Sequence, residues 1–154
     1  PFGCFRAENV GIARFDGAEW TLAIQLVESV SLNANYTYLD WDTADGRLPR
    51  RSRNRGNVTL NYIHDEWNVN LSANLVGRRD DFRAASPFGD ITKPGYAIFN
   101  LASYYNLPWR VPVVKDLTLF GRVENLFNRK YEEIDGFRAR PLNFLVGMRA
   151  TFRS

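Results

Sequence analysis

No stretch of this chain is apolar for long enough to cross a membrane as a helix, which takes about 18 or more such residues. That excludes a transmembrane helix and leaves a β-barrel open, because barrel strands give a weak signal that averages to polar. One cysteine, Cys4, excludes an internal disulfide and a multi-cysteine metal site, although a partner could lie upstream of residue 1. One histidine, His64, stands on a turn without a second His or a Cys, so no ligand or base role is assigned to it. No Ser/His/Asp set, phosphate-cradling glycine loop or paired-carboxylate cleft emerges, and Glu132-Glu133 reads as a solvated loop pair. The expectation is therefore a protein that is not an enzyme and carries no cofactor. Charge is nearly balanced, with 20 Lys and Arg against 17 Asp and Glu. No basic block is long enough to argue for a nucleic-acid partner. Residue 1 is Pro, with neither an initiator Met nor a signal peptide. For an exported protein that implies processing or truncation, and truncation is the expectation here.

What the chain does have is alternation. Seven segments place apolar and polar side chains in turn: 12–26, 30–40, 53–63, 67–78, 96–107, 117–125 and 142–152. In the fourth, Trp67, Val69, Leu71, Ala73 and Leu75 alternate with Asn68, Asn70, Ser72 and Asn74. A strand sends successive side chains to opposite faces, so one face is apolar and the other rich in amide. Asn is a poor strand former, and its place on one face indicates that this face is wet. The sequence predicts an all-β fold, an antiparallel up-and-down meander of about seven strands. Hydrocarbon outside and a polar lumen inside is the pattern of a transmembrane β-barrel, and the meander is read as part of a large one. A soluble β-sandwich would show the same alternation but fill a dry core.

The connections also alternate. Short turns follow the first and third strands and a Pro-containing link the fifth; long polar loops, 41–52, 79–95 and 126–141, follow the second, fourth and sixth. Outer-membrane barrels have short periplasmic turns and long extracellular loops, so the long loops are placed outside the cell. Aromatics, 14% of the chain, test that orientation. Tyr36, Tyr38 and Tyr96 fall at outer strand ends; Trp67, Tyr105, Trp109 and Phe152 fall at inner ends, as two headgroup girdles require. Trp20 sits mid-strand and fits neither. The sequons at Asn35, Asn57 and Asn70 lie inside strands on the wet face and read as wall residues. Asp40, Asp42 and Asp45 weakly suggest a calcium loop, but the spacing is not that of an EF-hand and no Glu closes it.

The run Val123-Glu124-Asn125-Leu126-Phe127-Asn128-Arg129-Lys130-Tyr131, then Gly136 and a strand ending in Phe152, resembles the C-terminal end of TonB-dependent outer-membrane receptors. Glu8-Asn9-Val10-Gly11 followed by Gly17-Ala18-Glu19 extends the likeness. Leu48-Pro49-Arg50-Arg51 and Val76-Gly77-Arg78-Arg79-Asp80 look most like the cobalamin (vitamin B12) receptor branch. The resemblance implies a barrel of about 22 strands with a plugged lumen. Residues 1–154 would be a single segment of its C-terminal portion, with the plug and the energy-coupling box that contacts TonB absent. It implies the bacterial outer membrane as location and its lipid as partner. It also implies import of a scarce bulky nutrient, cobalamin or a ferric siderophore, energised through TonB. The family usually ends on an aromatic residue read by the barrel-assembly machinery; here Arg153 and Ser154 follow Phe152, and Arg140-Pro141-Leu142 replaces Pro-Gly-Arg.

Under that resemblance, recognition falls to the extracellular loops. Trp41, Phe82, Phe88 and Phe137 are candidates to stack on a flat ligand, and Arg50, Arg51, Arg78 and Arg138 to meet phosphate or carboxylate. Glu19, Arg122, Glu124 and Arg149 face the lumen, where they can pair with one another or with the plug. The alternative is a small self-contained outer-membrane barrel with a structural or adhesive role, which would need an eighth strand. Alone, the segment is expected to be an open sheet with two unpaired edges.

Overall fold

Backbone pairing is what the alternating segments provide, and it governs the architecture of the computed structural model, which describes residues 12–43, 46, 48–83, 87–109 and 113–152. Cys4, the Glu8–Gly11 match, Asp45, Pro112 and the terminal Arg153 and Ser154 lie outside the described residues. The strands are β1 (Arg14–Val27), β2 (Val30–Asp42), β3 (Asn54–His64), β4 (Trp67–Val76), β5 (Arg79–Arg83) and β6 (Gly89–Lys93). They continue as β7 (Tyr96–Leu107), β8 (Val114–Glu124), β9 (Glu132–Ile134), β10 (Phe137–Arg138) and β11 (Asn143–Phe152). Seven of them form one sheet in the order β1-β2-β3-β4-β7-β8-β11, antiparallel throughout. β1 and β11 do not pair with each other, so the sheet is open. Its strands have 10 to 14 residues, long enough to cross hydrocarbon at a barrel's tilt.

Two-residue turns explain the tight ends. Glu28-Ser29 joins Val27 to Val30, and Asp65-Glu66 joins His64 to Trp67, with Asp65 in the left-handed region at φ 49°. The Gln25 amide donates to the Val27 carbonyl at 2.6 Å and holds the first turn closed. The remaining turns of the main sheet at the opposite end are long, and two contain small hairpins, β5–β6 and β9–β10. Alternation alone predicts plain loops over both stretches. Arg79-Asp80-Asp81-Phe82-Arg83 carries no apolar alternation to betray a strand. For β9–β10 a signal was present in Asp135-Gly136, a favoured hairpin turn pair, with Gly136 at φ 81°.

Register sorts the faces. Ile24, Leu32, Leu60, Leu71, Leu101, Val123 and Phe144 follow one another across paired strands on one side. These residues do not converge on a core: Ile98 is the buried hydrophobic among the described residues, while Phe144 and Val146 are 74% and 75% exposed. A sandwich would have buried them. The opposite face is held by polar side chains. Asn57 donates to Asn74 at 2.6 Å, Asn70 to Asn61 at 2.5 Å and Thr118 to Asn106 at 2.8 Å. Phe120 lies across Gly147 on this face and leaves no room for a Cβ there.

The aromatic girdles are corrected in two places. Trp20 pairs in register with Tyr36, their rings 5.5 Å apart, so it belongs to the outer group. Tyr96 is at an outer strand end but on the wet face, against Tyr131 at 4.4 Å. Trp67 and Tyr105, 4.7 Å apart, mark the short-turn end as expected.

The two faces predict opposite tolerance to charge. In the full-length protein, Leu71→Arg should cost about 2–4 kcal/mol at the bilayer midplane and abolish the folded, heat-modifiable band in semi-native electrophoresis. Asn70→Arg, one residue away, should retain it. Equal behaviour of the two would refute the assignment of faces.

Candidate functional site

The long connections converge at one end, and a buried carboxylate joins three of them. Asp81 on β5 is 2% exposed. Its Oδ1 accepts from Arg50 Nε at 3.1 Å and from the Phe82 N–H at 2.9 Å, and its Oδ2 accepts from the Asp135 N–H at 2.7 Å. Arg50 comes from the loop after β2, at φ 64°, and its own N–H donates to the Asp80 carbonyl at 2.7 Å. Asp135 is the turn of β9–β10. Burial alone would raise the Asp81 pKa; the hydrogen bonds from Phe82, Asp135 and Arg50 outweigh it, so the carboxyl sits below its ordinary value of 3.8.

Lys93 on β6 makes a second tie between the same hairpins. Its ammonium reaches Glu132 Oε2 at 2.6 Å and also the Asp135 carboxylate. Hydrogen bonds to Asp135 and Glu132 raise its pKa above 10.5, and Lys93 in turn lowers that of Glu132. Arg79, 5% exposed, donates through Nη2 to the carbonyls of Glu132 and Glu133, the latter at 3.2 Å, and lies over the Tyr96 ring at 5.3 Å.

The Asn-Leu-Phe element clasps the last loop. Asn125, 4% exposed and at φ 53°, donates through Nδ2 to the carbonyls of Arg129 at 2.9 Å and Arg140 at 3.1 Å. Its Oδ1 accepts from the Arg129 N–H at 2.7 Å, and its own N–H donates to Asn100 Oδ1 at 3.0 Å. Asn128 accepts from the Leu142 N–H at 3.0 Å, and Phe127 meets Phe99 edge-on at 5.1 Å. One side chain thus satisfies both ends of the 125–140 excursion, which explains why this residue type stands there.

The sequence-named residues divide accordingly. Arg50 is spent on Asp81. Phe82, Phe88 and Phe137 are exposed, as are Arg51, Arg78 and Arg138. Trp41 is half-buried with the Arg53 guanidinium 4.8 Å from its ring. Arg122 pairs with Glu124 at 2.7 Å, and Asn143 donates to Glu124 at 2.8 Å; Glu19 and Arg149 share their wet face and are exposed. Asp40 and Asp42 lie on β2, Asp40 within 3.2 Å of Arg53, and no metal-holding cluster occurs among the described residues. No pattern in the sequence marks Asp81, Arg79, Lys93 or Asn125 as organisers of the site.

An open antiparallel sheet with an exposed apolar face, an amide-lined wet face and a loop cap at one end is a piece of an outer-membrane β-barrel wall. The family model described as TonB dependent receptor-like, beta-barrel, matches residues 1–126, and the chain belongs to that family. It is similar in fold to the pyoverdine outer membrane receptor FpvA from Pseudomonas aeruginosa PAO1 bound to pyoverdine, at 18% identity and TM-score 0.73, over 91% of this chain and 22% of that one. FpvAI in its complex with pyocin S2 gives 17% identity and TM-score 0.72, over 88% and 20%. The copper transporter OprC gives 22% and 0.67, over 88% and 23%. The chain thus spans about a fifth of the length of these proteins.

The cap should depend on charge. Asp81 contributes fully above pH 3.8 and is lost as pH falls through its lowered value; Lys93 contributes below pH 10.5 and is lost as pH rises through its raised one. Hydrogen exchange on the full-length protein should show the Phe82 and Asp135 amides protected between those limits. Asp81→Ala should lower their protection at least ~tenfold at pH 7, the loss of charged hydrogen bonds worth about 1.5–3 kcal/mol each. Protection unchanged in the variant would remove Asp81 as the organiser.

Proposed function

We propose that this chain is the C-terminal barrel portion of an outer-membrane receptor that imports a scarce iron chelate, with energy supplied through TonB. The observation that carries the reading is the cap: three long connections from separate hairpins are locked together by Asp81 above an amide-lined wall. A passive pore needs no such preorganised mouth, whereas selective capture of a bulky ligand does. The family supports a receptor, and relatives of similar fold are described as binding pyoverdine or transporting copper.

In this reading residues 1–154 form one segment of the wall, and the plug and energy-coupling box belong to the rest of the receptor. Glu19, Arg122, Glu124 and Arg149 face the plug. The exposed Phe82, Phe88 and Phe137, with Arg51, Arg78 and Arg138, meet the ligand first; Trp41 is a further stacking surface. The final strand is the part the barrel-assembly machinery reads. Cobalamin stands as the second cargo, on the Leu48–Arg51 and Val76–Asp80 likeness. Two arginines in those pieces hold the cap together, Arg50 on Asp81 and Arg79 on β9, so the pieces speak for scaffold more than for cargo.

Uptake of labelled ferric chelates and of labelled cobalamin by cells carrying the full-length receptor, with and without TonB, tests this. Iron uptake should fall at least ~tenfold without TonB. Cobalamin uptake in its place would overturn the iron reading, and uptake indifferent to TonB would overturn the receptor mechanism.

A further inference from the structure

A cleft of about 670 Å³ lies under the cap, against the outer end of the wet face. Its lining includes four arginines, Arg50, Arg55, Arg79 and Arg140, and two carboxylates, Glu124 and Glu133. Arg50 is paired with Asp81 and Glu124 with Arg122. That leaves Arg55, Arg79 and Arg140 against Glu133, so the cleft carries excess positive charge.

Arg79 makes the imbalance informative. It is buried, and its Nη2 and ring contact are used in holding β9 and Tyr96. Its Nη1 is buried with no hydrogen-bond partner. No carboxylate among the described residues pairs with it. A buried guanidinium normally has a counter-charge, because an uncompensated charge in a low-dielectric site is costly. Carbonyl oxygens orient Arg79 without cancelling its charge. Its field therefore falls on the cleft, where Arg55 and Arg140 are exposed and free to make direct contacts.

We infer that this cleft is an anion subsite for carboxylate groups of the imported ligand, with Arg55 and Arg140 contacting the anion and Arg79 fixing the positive field behind them. The inference rests on the receptor reading above and narrows its cargo to an anionic chelate. The planar guanidinium forks match a carboxylate in pairs. The position suits transit, since a ligand leaving the exposed loop aromatics meets this end of the wall next.

Citrate and inorganic phosphate are the probes, titrated calorimetrically into the full-length receptor in detergent at low ionic strength. Citrate should bind the wild type, and Arg55→Gln and Arg140→Gln should each raise its Kd at least ~tenfold, with added salt weakening it further. Lys115→Gln, at the short-turn end, should leave it unchanged. Citrate affinity unaltered by either arginine substitution would overturn the assignment. A wild type silent to both anions would overturn it too, and would mean that a carboxylate from elsewhere in the polypeptide fills the cleft. Chelate uptake without anion binding would remove the subsite and leave the receptor standing. Anion binding without iron uptake would remove the iron reading and leave the subsite.

Discussion

Backbone amides cannot be left unpaired in hydrocarbon, and the rest of this structure follows from that constraint. Each strand of the seven-stranded sheet is therefore long, regular and hydrogen-bonded to its neighbours in sequence order or across a small hairpin. The outer edges of β1 and β11 are the exceptions, since they meet no strand among the described residues. In a bilayer such edges are tolerable only when the sheet closes on itself. The membrane also explains why almost no apolar side chain among the described residues is buried. Lipid takes the place of a core, so exposure of Phe144 and Val146 is the native condition of this face.

The amide-rich wall answers a different demand. Asn disfavours strands because its side chain competes for backbone hydrogen bonds. Here the side chains are engaged across the strands instead, Asn57 with Asn74 and Asn70 with Asn61. These cross-strand pairs convert a poor strand former into a register device on a face where apolar packing is unavailable. They also leave the β3–β4 part of the wall polar but uncharged below the cap, with Asn57, Thr59 and Asn61 opposite Asn74, Ser72 and Asn70.

Legibility divided along the same line between local and non-local physics. Alternation is a property of neighbours in sequence, and the seven long strands, their faces and the two tight turns were readable from it. Trp20 looked misplaced until register set it opposite Tyr36, and the face of Tyr96 depended on where β7 meets Val76. The cap was hidden because its contacts join residues 31 to 54 positions apart. Arg50 stands out in the sequence for its charge, as a candidate for ligand contact, but its partner Asp81 lies in a segment with no pattern. Asn125 was seen as a family signature; that its amide satisfies the backbone at Arg129 and Arg140 required the fold.

Charge in the loops therefore carries two meanings that composition cannot separate. Arg50, Lys93, Asp81 and Glu132 are mutually neutralised, and their work is to hold hairpins in place. A ligand competing for them would have to break the cap that presents it. In the proposed receptor, charges left over after that pairing are the ones free to meet a cargo. Among the residues lining the cleft these are Arg55, Arg79 and Arg140, all of one sign, beside one carboxylate outside any ion pair, Glu133, which the Tyr96 hydroxyl approaches at 3.5 Å. Stacking aromatics at the hairpins give contact area without charge preference. In the proposed receptor the cleft beneath them adds a charge preference, with Arg55 and Arg140 in its lining and Arg79 buried behind them.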